Sequence, residues 1–376
     1  MIIRRSSLSF IGSIPKNIFS GFVVSLVALP LGLGLAIASE APPIAGVISS
    51  IIGGVICTIF GGSNLTITGP GNGLVIVILY SITTLGDGDL YQGYLYTLSA
   101  IVFSGILIFL FGLFRLGALS EFFPSSALQG MLAAIGIGIL AKQLHVMLGV
   151  TAVSGTPLII LSKVPQTLSF LISNLTLNFW IPALLGVFSL FILVFYSKLR
   201  NPIFHLIPAP MWVIMAAIGL SFYLEFFTNG LFSISDNLMI RLPNNILSNF
   251  PSPDYSLVYS LNFISTVISI TLIASIESLL SIKAVDKLDP QKRRSNVNKD
   301  LRALGISTTI SGLVGGLPVV TVIARSSVNV NNGGSNRSSN FAHAMFLLLF
   351  ILIFQDLIER IALPSLAAIL VYTGYK

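Results

Sequence analysis

"LTITGPGNGLVIVI", Leu65–Ile78, joins two halves that ask for different structures. Its second half, Leu74–Ile78, is as apolar as a membrane-spanning helix. Its first half carries Gly69, Pro70, Gly71, Asn72 and Gly73, close to the worst helix-forming run a chain can offer. The same spoiled pattern returns in "GGLPVVTVIARSSVN", Gly315–Asn329. The surrounding chain decides whether these breaks are accidents or parts of one design.

The 376 residues are 54% hydrophobic and only 9% charged, with a mean hydropathy of +0.94. Soluble domains carry about 25% charged residues, and one soluble core has no use for this much apolar surface. The composition therefore points to an all-α polytopic membrane protein. Long continuous apolar runs, rather than alternating ones, argue against a transmembrane barrel. The net charge of +7 is concentrated in "KAVDKLDPQKRRSNVNKDLR", near the N-terminus and in "SKLRN". In so apolar a chain these read as cytoplasmic loops beside a lipid bilayer, not as a nucleic-acid surface. The single cysteine, Cys57, allows no intramolecular disulfide, and its expected role is a small buried apolar residue.

The apolar runs predict spans at 17–38, 44–60, 93–114, 125–144, 180–196, 210–226, 261–283, 301–314 and 340–358, with a last one beginning at Pro364. Broken spans are expected at 68–84 and 318–330. That makes about 12 spans, with an amphipathic stretch at 156–173 lying at the interface. A cytoplasmic N-terminus places every strong basic cluster inside and the acidic "GDGD" loop outside. The chain also repeats itself. "EFFPSSALQGMLAAIGIGIL" and "RIALPSLAAILVYTGYK" each put a proline at the start of a small-residue helix, one span after a broken segment. An odd number of spans between the copies inverts one relative to the other. Paired broken helices at matching positions of inverted repeats mark a transporter site near the membrane midplane.

A helix that starts inside the membrane leaves N–H groups without acceptors and adds partial positive charge there. Two facing starts suit a small anion. The expected donors are the backbones of Gly71, Asn72 and Gly73 in the first segment and of Val320, Thr321 and Val322 in the second. Thr68, Asn72 and Thr321 add side-chain hydrogen bonds. Pro70 and Pro318 are expected at the helix starts. Arg325, about two turns into the second broken helix, either supplies positive charge behind the pocket or pairs structurally with a carbonyl or carboxylate. Glu277, in "LIASIESLLS", is an intramembrane carboxylate. It is read as the group handling a coupling ion, H+ or Na+ (the latter with Ser281 one turn away), or else as a structural partner of Arg325. His145, His205 and His343 stand singly, so neither a metal site nor another cofactor is expected. No catalytic constellation and no nucleotide-binding motif appears, so the chain does not read as an enzyme.

These residues resemble the SulP family of inorganic anion transporters, the sulfate permease and bicarbonate transporter type. The likeness covers nearly the whole chain. It is carried by "SGFVVSLVALPLGLGLAIASEAPPIAGVISSIIGG", by "GPGNG" and by "ESLLSIKAVDKLDPQKRRSNVNKDLRALGISTTISGLVGGLPVVTVIARSSVNVNNGGSNR". The resemblance implies a seven-plus-seven inverted-repeat fold shared with nucleobase transporters. It also implies an anion site between helices 3 and 10, alternating access, and a homodimer in the full-length family. Residues 1–260 would be the first repeat and 261–376 an incomplete second one. The chain stops inside the twelfth span, so helices 13 and 14 and the STAS domain of the family are expected to be cut away. "PLGLGLA" is closer to the bacterial bicarbonate branch, whereas Glu277, where sodium-coupled bicarbonate members carry Asp, is closer to proton-coupled members. Sulfate or bicarbonate symport in a bacterial inner membrane is the expected function. The alternatives are a nucleobase or dicarboxylate transporter, an anion channel, or a non-transporting fragment.

Overall fold

The computed structural model describes residues 2–375 except 122–124, 154, 175, 197, 199–206, 228–233 and 244–249. It is helical almost throughout: α1 (Ile2–Ala38), α2 (Ile44–Phe60), α3 (Val75–Gly86), α4 (Leu90–Leu113), α5 (Ser125–Met147), α6 (Pro157–Ser162), α7 (Val164–Ser173), α8 (Leu177–Tyr196) and α9 (Ala209–Phe227) fill the first part. The second part holds α10 (Leu261–Leu288), α11 (Val297–Leu313), α12 (Ile323–Asn331), α13 (Ser338–Ile353), α14 (Gln355–Glu359) and α15 (Leu363–Tyr375). Among the described residues, five helices are long and apolar enough to cross a membrane: Ser13–Ala38, Leu90–Leu113, Phe179–Tyr196, Ala209–Phe227 and Leu261–Leu288.

Helix ends follow local chemistry. Asp89 accepts from the N–H of Tyr91 and Gln92 to start α4, Ser260 from Phe263 to start α10, and Asn296 from Lys299 to start α11. The amphipathic stretch splits at Lys163 into α6 and α7, because Pro157 and Pro165 each suit a first turn. The expected span at 340–358 is interrupted at Phe354, where α13 gives way to α14. Pro124, expected to open α5, lies outside the described residues.

Both broken segments are broken in the structure, but not where their prolines suggest. The first runs as strand β1 (Thr68–Gly69), then a 3-10 turn at Asn72–Leu74, then α3. The second runs as strand β2 (Val320–Thr321) into α12. Pro70 and Pro318 precede the helices in non-helical backbone, so neither opens one. Arg325 therefore stands in the first turn of α12, not two turns in. The cause is the pairing of the two segments with each other. β1 and β2 are antiparallel, with Thr68 opposite Thr321 and Gly69 opposite Val320. Extended backbone at membrane depth must be sealed in protein, and Thr68, Val319, Val320 and Thr321 are all buried.

Around this strand pair the helices pack in related sets. α4 lies on α11 and α13 on α2; α1 lies on α13 and α10 on α4; α1 touches α12 and α10 touches α3; α2 meets α11, and α5 meets α15. α4 and α11 approach closely enough to need glycine. A Cβ on Gly305 would lie 2.4 Å from the N of Phe109 and 2.7 Å from the carbonyl oxygen of Gly105, and one on Gly105 would lie 2.8 Å from the oxygen of Gly305. Asp300, early in α11, secures the end of α2 by accepting from the N–H of Gly62 and Ser63 and from the Ser63 hydroxyl.

Candidate functional site

The polar backbone of Leu65–Ile67 is paired with α12. The Leu65 carbonyl accepts from Asn329 Nδ2 at 2.8 Å, Ile67 N–H donates to Ser326 Oγ at 2.9 Å, and Val322 N–H donates to the Ile67 carbonyl at 2.9 Å. Thr321 N–H donates to Ser278 Oγ on α10 at 3.3 Å. Two of the three amides expected as anion donors on the second segment are therefore spent inside the protein. This corrects the expectation of two equivalent helix starts. An extended strand, unlike a bare helix end, finds partners for its own N–H groups.

The first segment is different. Gly71 and Asn72 stand at the start of the 3-10 turn, where an N–H has no intrahelical acceptor. Glu277 of α10 lies over this start. Gly73 N–H points at Glu277 Oε1 at 3.5 Å, a long contact, and Oε2 is buried without a partner among the described residues. A Cβ on Gly71 would fall 2.6 Å from Oε2, and one on Gly73 2.7 Å from it. Glycine is needed here because a carboxylate approaches the backbone. Ser281, one turn along α10, is 8% exposed. A small crevice of about 10 Å³, lined in part by Ser39, Pro70, Gly71 and Pro318, adjoins the site.

Thr68 and Arg325 lie on the α2 and α13 side of the strand pair. Asn340 brackets Thr68, its Oδ1 accepting from the backbone N–H at 3.3 Å and its Nδ2 donating to the hydroxyl at 3.2 Å. Arg325 is fully buried and donates from Nη1 to Ser50 Oγ at 2.9 Å, with Nε and Nη2 unpartnered among the described residues. A Cβ on Gly69 would fall 2.3 Å from that Nη1, so the guanidinium sits directly behind β1. Among the described residues, Arg325 and Glu277 form no ion pair, so the alternative reading of Glu277 as a structural partner of Arg325 finds no support. His343 on α13 is fully buried, its two ring nitrogens likewise unpartnered among the described residues. His145 has a structural place, its ring bridging Thr167 Oγ1 at 2.6 Å and the Ile160 carbonyl at 2.9 Å. His205 lies outside the described residues. Cys57 is buried as expected, but with its sulfur 3.3 Å from Ser307 Oγ.

The structure thus brings together Gly71, Asn72, Gly73 and Glu277, and places Thr68 and Arg325 behind them. Ser278, Asn340, Ser50 and Asn329, which hold the site together, were missed in the sequence. A serine or asparagine inside a helix carries no local mark of a partner far along the chain. Ser278 lies next to Glu277, and that proximity was the one signal available.

Residues 14–376 match the family model described as the sulfate permease family. The putative sulfate transporter YvdB of Bacillus subtilis is 28% identical over 362 residues, covering 96% of this chain and 64% of the relative. The bicarbonate transporter BicA of Picosynechococcus sp. is 25% identical over 367 residues, covering 96% and 61%. The chain spans less than two thirds of the length of these curated relatives. Among solved structures, the transmembrane domain of a cyanobacterium bicarbonate transporter BicA aligns with a TM-score of 0.82 at 24% sequence identity, over 96% of this chain and 89% of that one. The murine solute carrier 26 member A9 anion transporter, in its inward-facing state, aligns with a TM-score of 0.79 at 14% identity, over 95% and 59%. With the family match spanning nearly the whole chain and the fold shared with these membrane proteins, the chain is an integral membrane protein and belongs to the sulfate permease family.

Proposed function

We propose that the chain forms the membrane part of a secondary transporter for a small inorganic anion, sulfate or bicarbonate, working by alternating access. The observation that carries this is the Glu277 carboxylate lying over the N-terminal start of the first broken helix. The N–H groups of Gly71, Asn72 and Gly73, at the start of the first broken helix, are the donors for the anion, with the Asn72 side chain beside them. Arg325 adds positive charge from behind β1. An ionised Glu277 and a bound anion would compete for the same amides and repel each other. Protonating Glu277 removes that repulsion, so anion and proton bind together. Coupling by Na+, held by Glu277 and Ser281, is the second reading, favoured by the buried, unpartnered Oε2 of Glu277.

The related packing sets around the strand pair support reading residues 1–260 as one repeat of a seven-plus-seven inverted architecture. Residues 261–376 then belong to the second repeat. The names of the relatives support sulfate or bicarbonate over a nucleobase.

Proteoliposome uptake of labelled sulfate and bicarbonate, with and without pH and Na+ gradients, tests the reading. Acid outside is expected to drive accumulation of one of them. Glu277→Gln is expected to lose gradient-driven accumulation while retaining downhill flux. Uptake of uracil but of neither anion overturns the reading, and full gradient-driven accumulation by Glu277→Gln overturns the coupling role.

A further inference from the structure

The contact of α4 with α11 ends in a recess of about 470 Å³, lined by Gly112, Leu113, Arg115, Asn296, Asn298 and Arg302. Arg302 donates from Nε to the Asn298 carbonyl at 3.4 Å. Among the described residues, neither Arg302 nor Arg115 has a carboxylate partner. The 17-residue α11 begins at this recess with Asn296 as its cap, so the positive end of its dipole adds to the two guanidiniums. Two arginines without a carboxylate partner among the described residues, beside a helix start, suit a phosphate-type oxyanion.

A second cavity, about 280 Å³ and lined by Ile106, Phe109, Ile306, Thr309 and Ile310, lies farther along the same two helices. On α4, Leu113, Phe109 and Ile106 recur at spacings of four and three residues. On α11, Arg302, Ile306 and Thr309 do the same. Recess and groove therefore share one stripe. Ile106 is 44% exposed and Ile310 39%, so the groove opens away from the protein core. A cationic head site continuing into an apolar groove matches an amphiphile with a negative head, not a free ion.

We propose that this stripe binds one anionic membrane phospholipid, its phosphate between Arg115 and Arg302 and one acyl chain along the groove. The site uses none of the residues assigned to the transported anion. A free phosphate would need the recess alone, whereas the phospholipid needs recess and groove together, and this difference makes the two sources separable.

Native mass spectrometry of the purified 376-residue chain in detergent, titrated with dioleoyl phosphatidylglycerol or dioleoyl phosphatidylcholine, counts the bound lipid. Wild type is expected to retain phosphatidylglycerol in preference to phosphatidylcholine. Arg115→Gln with Arg302→Gln is expected to weaken phosphatidylglycerol binding about tenfold or more. Ile106→Trp fills the groove, leaves the recess intact and is expected to weaken it as well. Arg115 is exposed, so Arg115→Gln alone keeps the wild-type unfolding temperature and guards against a folding artefact. Equal retention by wild type and the double arginine variant overturns the proposal. Displacement of the lipid by inorganic phosphate, with no effect of Ile106→Trp, also overturns it by assigning the recess to a free ion.

Discussion

Gly71 has no room for a side chain. A Cβ there would meet Glu277 Oε2 at 2.6 Å and Val320 Cγ2 at 2.5 Å. Gly71→Ala must push the carboxylate off the helix start, and overpacking of this kind costs about 1–3 kcal/mol. Anion uptake is expected to fall about tenfold or more, with a lowered unfolding temperature. Glu277→Gln preserves the shape and is expected to leave that temperature near wild type, so paired uptake and melting measurements separate sterics from charge. Gly71, Gly73 and Glu277 were legible as candidates because each breaks a local rule: glycine inside an apolar run, and a carboxylate inside a membrane helix. The loss of Thr321 and Val322 as free donors was not legible. Their acceptors, Ser278 Oγ and the Ile67 carbonyl, lie 43 and 255 residues away (321 − 278 and 322 − 67), and nothing local announces a strand that is two residues long.

At the scale of elements, α4 and α11 meet glycine on glycine, Gly105 against Gly305. Gly305→Val would place side-chain carbon against the Phe109 backbone and is expected to separate the helices. The checkable outcome is a sharp fall in the yield of folded, detergent-soluble protein, with Gly219→Val on α9 as the tolerated control, since a Cβ at Gly219 meets nothing within 4 Å. Outside the spans, Asp254 ties the segment before α10 to α4. It accepts from Ser256 N–H at 2.9 Å and from Gln92 Nε2 at 2.7 Å. The Ser256 backbone bond leads in holding its carboxyl below the ordinary carboxylate value of 3.8. The folded state therefore prefers the ionised form. That stabilisation is present above the ordinary value and is lost as pH falls from there through the lowered one. Asp254→Asn is expected to lower the unfolding temperature at neutral pH and to converge with wild type in acid. The extents of α2 and α8 were readable to within a few residues because apolar runs end at glycine or at polar residues. The starts of α3 and α12 were not, because proline marks where a helix is allowed to begin, while strand pairing decided where these two did begin.

For the whole molecule, the membrane class and the family likeness were readable from composition and from two long motifs. What no motif carries is how distant parts are tied. Glu40, in left-handed backbone with φ of 59° just after α1, forms an ion pair with Lys142 of α5. Both line a cavity of about 490 Å³ that also includes Tyr80 and Thr83 of α3. The pair is partly exposed, and such pairs contribute about 0.2–1 kcal/mol. A double-mutant cycle of Glu40→Gln and Lys142→Gln is expected to return a coupling of that size in thermal unfolding. Both single variants are expected to change the initial rate of uptake by a similar factor, with the double variant no worse than either. Additive effects on rate would show that the two residues act separately.

The antiparallel pairing of Thr68 with Thr321 and of Gly69 with Val320 makes the two half-helices jaws of one calliper. Their gap is measured in backbone hydrogen bonds, which no rotamer change can lengthen. On the proposed reading, side-chain substitutions around the site alter how strongly an ion is held, while the gauge for how large an ion fits is set by the main chain. It follows that, on the proposed reading, variants selected for a bulkier anion should carry a residue inserted in one strand rather than exchanges among the polar side chains.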